Sequence, residues 1–188
     1  MLPPGAVYRP DYVGVAEEAA LLAQLDRADW IDELKRRVQH YGYRYDYRER
    51  RVAEGSFLGA LPDWLLPIAR LLVADGFFAA MPDQVIVNEY LPGQGIAPHV
   101  DCEPCFGDTI ASLSLGSASL MEFRKAEQSE RLDHLLEPRS LLILSGEAPY
   151  GWKHGIAARK TDVVDGVKRP LARRMSLTFR TVVIQGGR

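Results

Sequence analysis

Cysteine is nearly absent from this sequence of 188 residues. Only Cys102 and Cys105 occur, too few for the disulfide framework of a small secreted domain, which agrees with a reducing compartment. Long hydrophobic runs are absent as well: nowhere do 18 uncharged apolar residues follow one another, which argues against a membrane-spanning helix and a membrane partner. The opening MLPPGAVYRP has neither a basic stretch followed by an apolar one nor an Arg/Ser-rich presequence, so no leader is expected and the expected location is the cytoplasm. Neither sign of charge is in excess. Lys and Arg number 23 against 25 Asp and Glu, for a net charge of −2 and a pI near 6.1. Any nucleic-acid partner must therefore be drawn by a local patch rather than by the whole molecule. Internal repeats, low-complexity tracts and Gly/Ser linkers are also missing, so a single domain over 1–188 and a monomer are expected.

What is present is enough to build one core, since 47% of the residues are hydrophobic. Val15, Ala19, Leu22 and Leu25 recur at helical spacing near 15–27, with Glu17 and Glu18 in the first turn where they complement the helix dipole. A second helix is expected from about Pro62 to Asp75, with Leu65, Ile68 and Leu72 on one face and Gly76 as its stop; Pro67 marks a possible late start. After Gly76 come short β-like runs: QVIVNEY, DTIASLSLG, SLMEF, SLLILSG and RMSLTFRTVV. In DTIASLSLG, Ala111, Leu113 and Leu115 alternate with Ser112 and Ser114, as in a strand with one face in the core. Helices followed by several such strands predict a mostly β fold with flanking helices, a double-stranded β-helix or jelly roll.

The segment PGQGIAPHVDCEPC carries the first candidate chemistry. His99 and Asp101 are two apart, so on an extended strand both side chains leave the same face. With a second imidazole they would form the two-histidine, one-carboxylate set that holds non-haem Fe(II) with open positions for other ligands. Of the remaining histidines, His40 lies in an aromatic stretch and His134 among Asp133, Arg131 and Glu137. His154, after the apolar SLLILSG run, is the better third ligand. Alone, H-x-D reads equally as a surface His beside an Asp.

The second candidate is RMSLTFR. Arg174, Ser176, Thr178 and Arg180 share one strand face, with Met175, Leu177 and Phe179 on the other. Six residues of strand span roughly 20 Å, so two guanidinium arms leaning inward could bracket a short dicarboxylate through bidentate pairing. The bland alternative is a solvated strand face with two charges.

Taken in order, NEY (88–90), HVD (99–101), Trp-x-His-Gly (152–155) and RMSLTFR (174–180) resemble the AlkB family of Fe(II)- and 2-oxoglutarate-dependent dioxygenases. The resemblance runs over roughly 30–183. PDQVIVNEYLPGQGIAPHVD, SLSLGS and RSLLILSGEAPYGWKHGI look like the branch that contains the AlkB domain of the tRNA wobble-uridine hydroxylase. It implies that His99, Asp101 and His154 ligate catalytic iron, that Arg174 pairs with the C5 carboxylate of 2-oxoglutarate, and that Arg180 lies near its C1 end. It also implies that Asn88 and Tyr90 hydrogen-bond to the same co-substrate, with O₂ as the other co-substrate. The region 30–80 would hold helix and nucleotide lid, and 84–183 the jelly-roll core. The implied activity is oxidative demethylation or hydroxylation of modified bases in tRNA, other RNA or single-stranded DNA. The alternative is the same chemistry on a protein or small molecule, because the iron and 2-oxoglutarate residues say nothing about the third reactant. A non-catalytic nucleic-acid-binding module is a third reading, opposed by the complete set of ligand and arginine positions.

In HYGYRYDYRERR, Tyr41, Tyr43, Tyr45 and Tyr47 alternate with Gly42, Arg44, Asp46 and Arg48, and Lys35, Arg36, Arg37, Arg50 and Arg51 flank them. Aromatic faces with basic neighbours suit a flipped base and its phosphates. A strand with core-facing tyrosines and solvated arginines fits the pattern equally. The pairs Arg124-Lys125, Arg159-Lys160 and Lys168-Arg169 could widen a basic patch. Glu103 occupies the position where base-repair members of the family carry an acid that contacts the base, whereas the wobble-uridine branch carries His; this points toward base repair. For Cys102-Glu103-Pro104-Cys105, structural zinc would need four ligands and no second Cys or His pair accompanies it, so two ordinary thiols are expected.

Overall fold

The computed structural model describes residues 1–32, 34–53, 55–125 and 130–184. In chain order the elements are β1 (Ala6–Arg9), α1 (Val15–Arg27), β2 (Val38–Tyr41), α2 (Leu66–Ala74), β3 (Gln84–Tyr90), β4 (Ile96–His99), β5 (Ile110–Gly116), β6 (Ser119–Lys125), β7 (Arg131–Leu136), β8 (Leu141–Leu144), a single turn α3 (Ala148–Gly151), β9 (Trp152–Ile156), β10 (Thr161–Val164), β11 (Val167–Pro170) and β12 (Arg174–Arg180). A 3₁₀ turn covers Glu103–Cys105. Six antiparallel strands form one sheet in the order β1-β8-β5-β12-β3-β2, and four form a second in the order β4-β9-β6-β7. Strands β10 and β11 make a separate hairpin.

Strand alternation places the two cores. From β8, Leu141 and Ile143 enter one cluster and Leu142 and Leu144 the other, so the clusters lie on opposite faces of the six-stranded sheet. The first joins Val85, Val87, Leu113, Leu115, Met175, Leu177 and Phe179 to Leu21 and Leu25 of α1 and Ile68, Ala69 and Leu72 of α2. At roughly 2 kcal/mol for each fully buried leucine, that stripe is enough to dock each short helix on the outer face. The second cluster adds Met121, Phe123, Leu136, Trp152 and Ile156 of the smaller sheet. The space between the sheets is therefore a second interior, as the jelly-roll expectation requires.

Helix α1 has the expected limits. Helix α2 starts at Leu66 rather than Pro62, with Pro67 in its first turn, where the missing N–H costs nothing. The tyrosine stretch is not a strand: β2 ends at Tyr41, and 42–58 continues as a loop held by the isolated bridges Tyr43–Phe57 and Asp46–Arg51. Gly42 starts that loop at φ +77°, and a Cβ there would overlap the Asp83 carbonyl oxygen, so only glycine fits. The bland alternative for RMSLTFR, a solvated strand face with two charges, does not hold. Every residue of β12 is buried, because its polar face points into the space between the sheets.

Candidate active site

Strands β4 and β9 pair antiparallel with His99 directly opposite His154, which brings two imidazoles far apart in sequence to ring centroids 4.7 Å apart. Asp101 lies just beyond the end of β4, and its Oδ1 is 3.8 Å from His99 Nε2. One ligand atom from each of His99, Asp101 and His154 lies within 4.8 Å of the others, close enough for all three to hold one metal ion. The structure brings His154 to this pair and keeps the other histidines away. His40 packs edge-on to Tyr47, and His134 packs against Tyr8.

The protonation states suit a metal. His99 Nδ1 lies 2.9 Å from the Ala97 carbonyl oxygen, which accepts its hydrogen and turns Nε2 toward Asp101. Burial pushes the His154 imidazole down to about 4, so it is neutral at physiological pH, and its buried Nδ1 has no hydrogen-bond partner. Burial works to raise the Asp101 carboxyl, but the Arg180 guanidinium, His154 and His99 outweigh it and hold the group below the ordinary range. The donor set is therefore an ionised carboxylate, the neutral His154 imidazole and the His99 imidazole that faces them, which is the chemistry Fe(II) takes.

The arginines of β12 divide into two kinds. Arg180 Nη2 lies 3.2 Å and 3.1 Å from the two carboxylate oxygens of Asp101, and its guanidinium sits over the Phe106 ring at 4.8 Å. Its guanidinium is thus the ion-pair partner of Asp101 and only partly available to another anion. Arg174 is different. It is 2% exposed, its Nη2 donates to Ser114 Oγ at 2.7 Å, and its Nε and Nη1 have no partner. Burial lowers its affinity for a proton, and no carboxylate among the described residues compensates. A buried cation with an open fork is costly unless an anion arrives. The Tyr90 ring lies against it, 5.4 Å from centroid to guanidinium carbon.

Tyr90 and Asn88 of β3, Ser176, Thr178 and Arg180 of β12 and the triad line one cavity of about 250 Å³. Ile86, Ile110, Met121, Leu142 and Leu144 give it an apolar wall. Asn88 Oδ1 accepts a hydrogen bond from Arg36 Nε at 2.8 Å, which turns the amide nitrogen of Asn88 away from Arg36. Arg36 also lies near the Tyr90 ring, at 5.9 Å. The sequence singled out Arg36 only as one of several flanking cations; its place beside Asn88 depends on β2 pairing with β3.

Of the expected substrate residues, Tyr45, Tyr47 and Arg50 line the cavity. Tyr43 packs on Phe57 instead, Arg51 pairs with Glu49, and Arg48 is exposed outside the lining. The 3₁₀ turn leaves Glu103 exposed and outside the lining, although it is only two residues from Asp101. Arg37 leaves the opposite side of the sheet and pairs with Glu89, which Arg173 also holds, because β3 alternates and Glu89 faces away from Asn88 and Tyr90. Arg124 and Arg159 pair with Glu122 and Asp162, which weakens the wider basic patch. Cys102 and Cys105 are not thiols here but are joined by a disulfide, the 3₁₀ turn bringing their Cα atoms to 5.2 Å.

The family described as 2OG-Fe(II) oxygenase superfamily matches residues 14–180, so the likeness begins before residue 30 and takes in α1. An Arabidopsis thaliana protein named "Alkylated DNA repair protein ALKBH8 homolog" is 42% identical over 202 residues, covering 95% of this chain and 58% of that protein. The Xenopus tropicalis "tRNA (carboxymethyluridine(34)-5-O)-methyltransferase alkbh8" is 41% identical over 171 residues, 87% of this chain and 27% of its own length. The Danio rerio "Probable RNA/DNA demethylase ALKBH6" is 34% identical over 209 residues, 96% of this chain and 86% of its own. The chain thus spans little more than half of the first of these relatives and about a quarter of the second. A solved structure described as "The structure of OsALKBH1" superposes with a TM-score of 0.70 at 18% identity, over 96% of this chain and 98% of that one, a likeness of fold.

Proposed function

The chain belongs to the AlkB family of the 2OG-Fe(II) oxygenase superfamily, and from that premise we propose that it oxidises modified bases in nucleic acid, with His99, Asp101 and His154 holding the iron. The observation that carries the proposal is one carboxylate and two imidazoles with ligand atoms within 4.8 Å of one another, on the same interior as a buried arginine that has no acid among the described residues. When bound, Fe(II) with 2-oxoglutarate and O₂ supplies an oxidant that hydroxylates a C–H bond while the co-substrate leaves as succinate and CO₂.

The chain's own residues do the rest. Ala97 O fixes the His99 tautomer, and Arg180 keeps Asp101 ionised and aimed at the metal. Arg174, with the open half of its fork, would hold the C5 carboxylate of 2-oxoglutarate, and Arg180 would hold its C1 end. Asn88, oriented by Arg36, and Tyr90 would hydrogen-bond to the same molecule. The wall of Ile110, Leu142 and Leu144 excludes water from it. Tyr45 and Tyr47 stack on the target base while Arg36 and Arg50 meet its phosphates, which makes the 42–58 loop a lid. Hydroxylation of an N-methyl carbon gives a hemiaminal that releases formaldehyde; hydroxylation of another carbon leaves a stable alcohol.

The test is mass spectrometry of nucleosides from tRNA and from methylated single-stranded oligonucleotides after incubation with the protein, Fe(II), ascorbate and 2-oxoglutarate. Loss of a methylated nucleoside or gain of a hydroxylated one is expected. Succinate formed with every nucleoside unchanged would point to a protein or small-molecule substrate, and the absence of succinate would end the dioxygenase reading.

A further inference from the structure

A second chemistry begins one residue after Asp101. Cys102 and Cys105 close a turn in which Cys105 N donates to Cys102 O at 2.9 Å, a bond that keeps the sulfurs together whether or not they are joined. With Phe106 they form a small apolar cluster that receives Tyr45 and Val52 from the 42–58 loop and Val182 from beyond β12. Cys102 also lines the cavity. The two residues are only 8% and 4% exposed, so a bulky reagent does not reach the sulfurs, and a small one arrives through the cavity beside Cys102.

The contact that gives this pair a consequence is with the loop backbone. The carbonyl oxygen of Arg50 lies 3.1 Å from Cys102 Sγ and 3.6 Å from Cys105 Sγ. A disulfide sulfur carries no hydrogen, so in the oxidised form neither contact is a hydrogen bond. In the dithiol form each sulfur has a proton to donate, and both separations suit S–H···O bonds. Arg50 sits at φ +51°, a conformation that a residue with a side chain keeps only when its surroundings hold it. Apart from Tyr47, which packs on His40, the rest of the loop tip is tied to itself, through the Asp46–Arg51 backbone pair and the Asp46 carboxylate accepting from the Arg48 and Glu49 N–H groups. In the dithiol form the sulfurs therefore add an anchor between the tip and the body of the protein.

We propose that Cys102 and Cys105 are a reversible modification site for a small hydroperoxide, and that their redox state sets how firmly loop 46–51 is held against the cavity. In the first step the Cys102 sulfur attacks the terminal peroxide oxygen: an S–O bond forms, the O–O bond breaks, and the thiol hydrogen leaves with the departing oxygen, as water from hydrogen peroxide or as an alcohol from an alkyl hydroperoxide. Cys105 sulfur then attacks Cys102 sulfur, the S–O bond breaks, water departs and the S–S bond forms. The two sulfurs lose two electrons and the two peroxide oxygens gain them. A small dithiol returns two electrons and two protons and is itself oxidised to a disulfide. The switch does not depend on which substrate the site takes.

The test uses the full chain in chelator, so that no stray iron reacts with peroxide. Samples reduced with dithiothreitol or treated with hydrogen peroxide are each divided: one portion is alkylated in denaturant and weighed intact, and the other is freed of reagent and digested with trypsin without alkylation. The reduced chain takes up two alkyl groups at the cysteines, the peroxide-treated chain none, and dithiothreitol restores both. Cleavage after Arg48, Arg50 and Arg51 is about five-fold faster in the oxidised chain, the factor one net hydrogen bond carries. In C102A/C105A, cleavage is fast and indifferent to peroxide. Hydrogen exchange over 45–52 in the unmutated chain gives the same comparison if that variant does not fold. Two alkylated cysteines after peroxide, equal cleavage and exchange in the two states, or peroxide-accelerated cleavage in C102A/C105A would each overturn the proposal.

Discussion

Replacing Arg174 with Lys keeps a positive charge in the interior and removes the planar fork. In the ligand-free protein the guanidinium uses one nitrogen on Ser114 and leaves Nε and Nη1 buried without partners. A carboxylate arriving there gains two parallel charge-assisted bonds. Lysine supplies a point charge and loses about one such bond, worth roughly 1.5–3 kcal/mol. The apparent affinity for 2-oxoglutarate should fall by roughly one to two orders of magnitude. Burial disfavours the charged form of any cation at this site, and a lysine is far easier to deprotonate than an arginine. The binding defect of R174K should therefore deepen as pH rises, whereas the parent chain shows no such trend. Titration of 2-oxoglutarate by calorimetry, or by thermal shift with the metal bound, reads both effects. Arg174→Met is the control. It should abolish 2-oxoglutarate binding without lowering the ligand-free melting temperature, because it removes a buried charge that has no counter-ion. An unchanged titration in R174K, or a collapse in the stability of ligand-free R174M, would refute the reasoning.

Four further outcomes are expected. His99→Ala, Asp101→Ala and His154→Ala should each abolish Fe(II)-dependent succinate formation, and Asp101→Ala alone should also lower the metal-free melting temperature, because it strands Arg180; equal melting of all three variants would contradict that. If the 42–58 loop meets phosphates, replacing Arg48, Arg50 and Arg51 together should flatten the salt dependence of nucleic-acid binding by up to about two units of slope, with Arg50→Ala giving the largest single share; an unaltered slope removes the loop from the interface. Glu103→Ala should change turnover on a modified oligonucleotide less than about two-fold, since the side chain points to solvent, and a ten-fold loss would restore it as a base contact. Gly42→Ala should cost about 2 kcal/mol or more in chemical unfolding, from the left-handed backbone and the overlap with Asp83 O; a variant of unchanged stability would mean that the loop base can shift.

Local order made much of this protein legible before any tertiary contact was known. Period-two alternation assigned Met175, Leu177 and Phe179 to one side of a strand and Arg174, Ser176, Thr178 and Arg180 to the other, and the structure keeps that division. The spacing of His99 and Asp101 and the apolar spacing of α1 were readable for the same reason, since each depends only on the geometry of a few adjacent residues. Periodicity says which residues share a face but not what that face meets. That His154 stands opposite His99 follows from the antiparallel register of β4 and β9, and Arg36 reaches Asn88 only because β2 pairs with β3. The polar face of RMSLTFR closes an interior rather than meeting water, because a second sheet covers it. The same packing separates Arg180, paired to Asp101, from Arg174, which has no acid, although the two share one strand face. It also turns Glu103 outward while drawing Cys102 and Cys105 beneath the Arg50 carbonyl. Strand pairing and sheet packing are set by non-local burial, so the sequence by itself determined the faces, and the tertiary structure decided their partners.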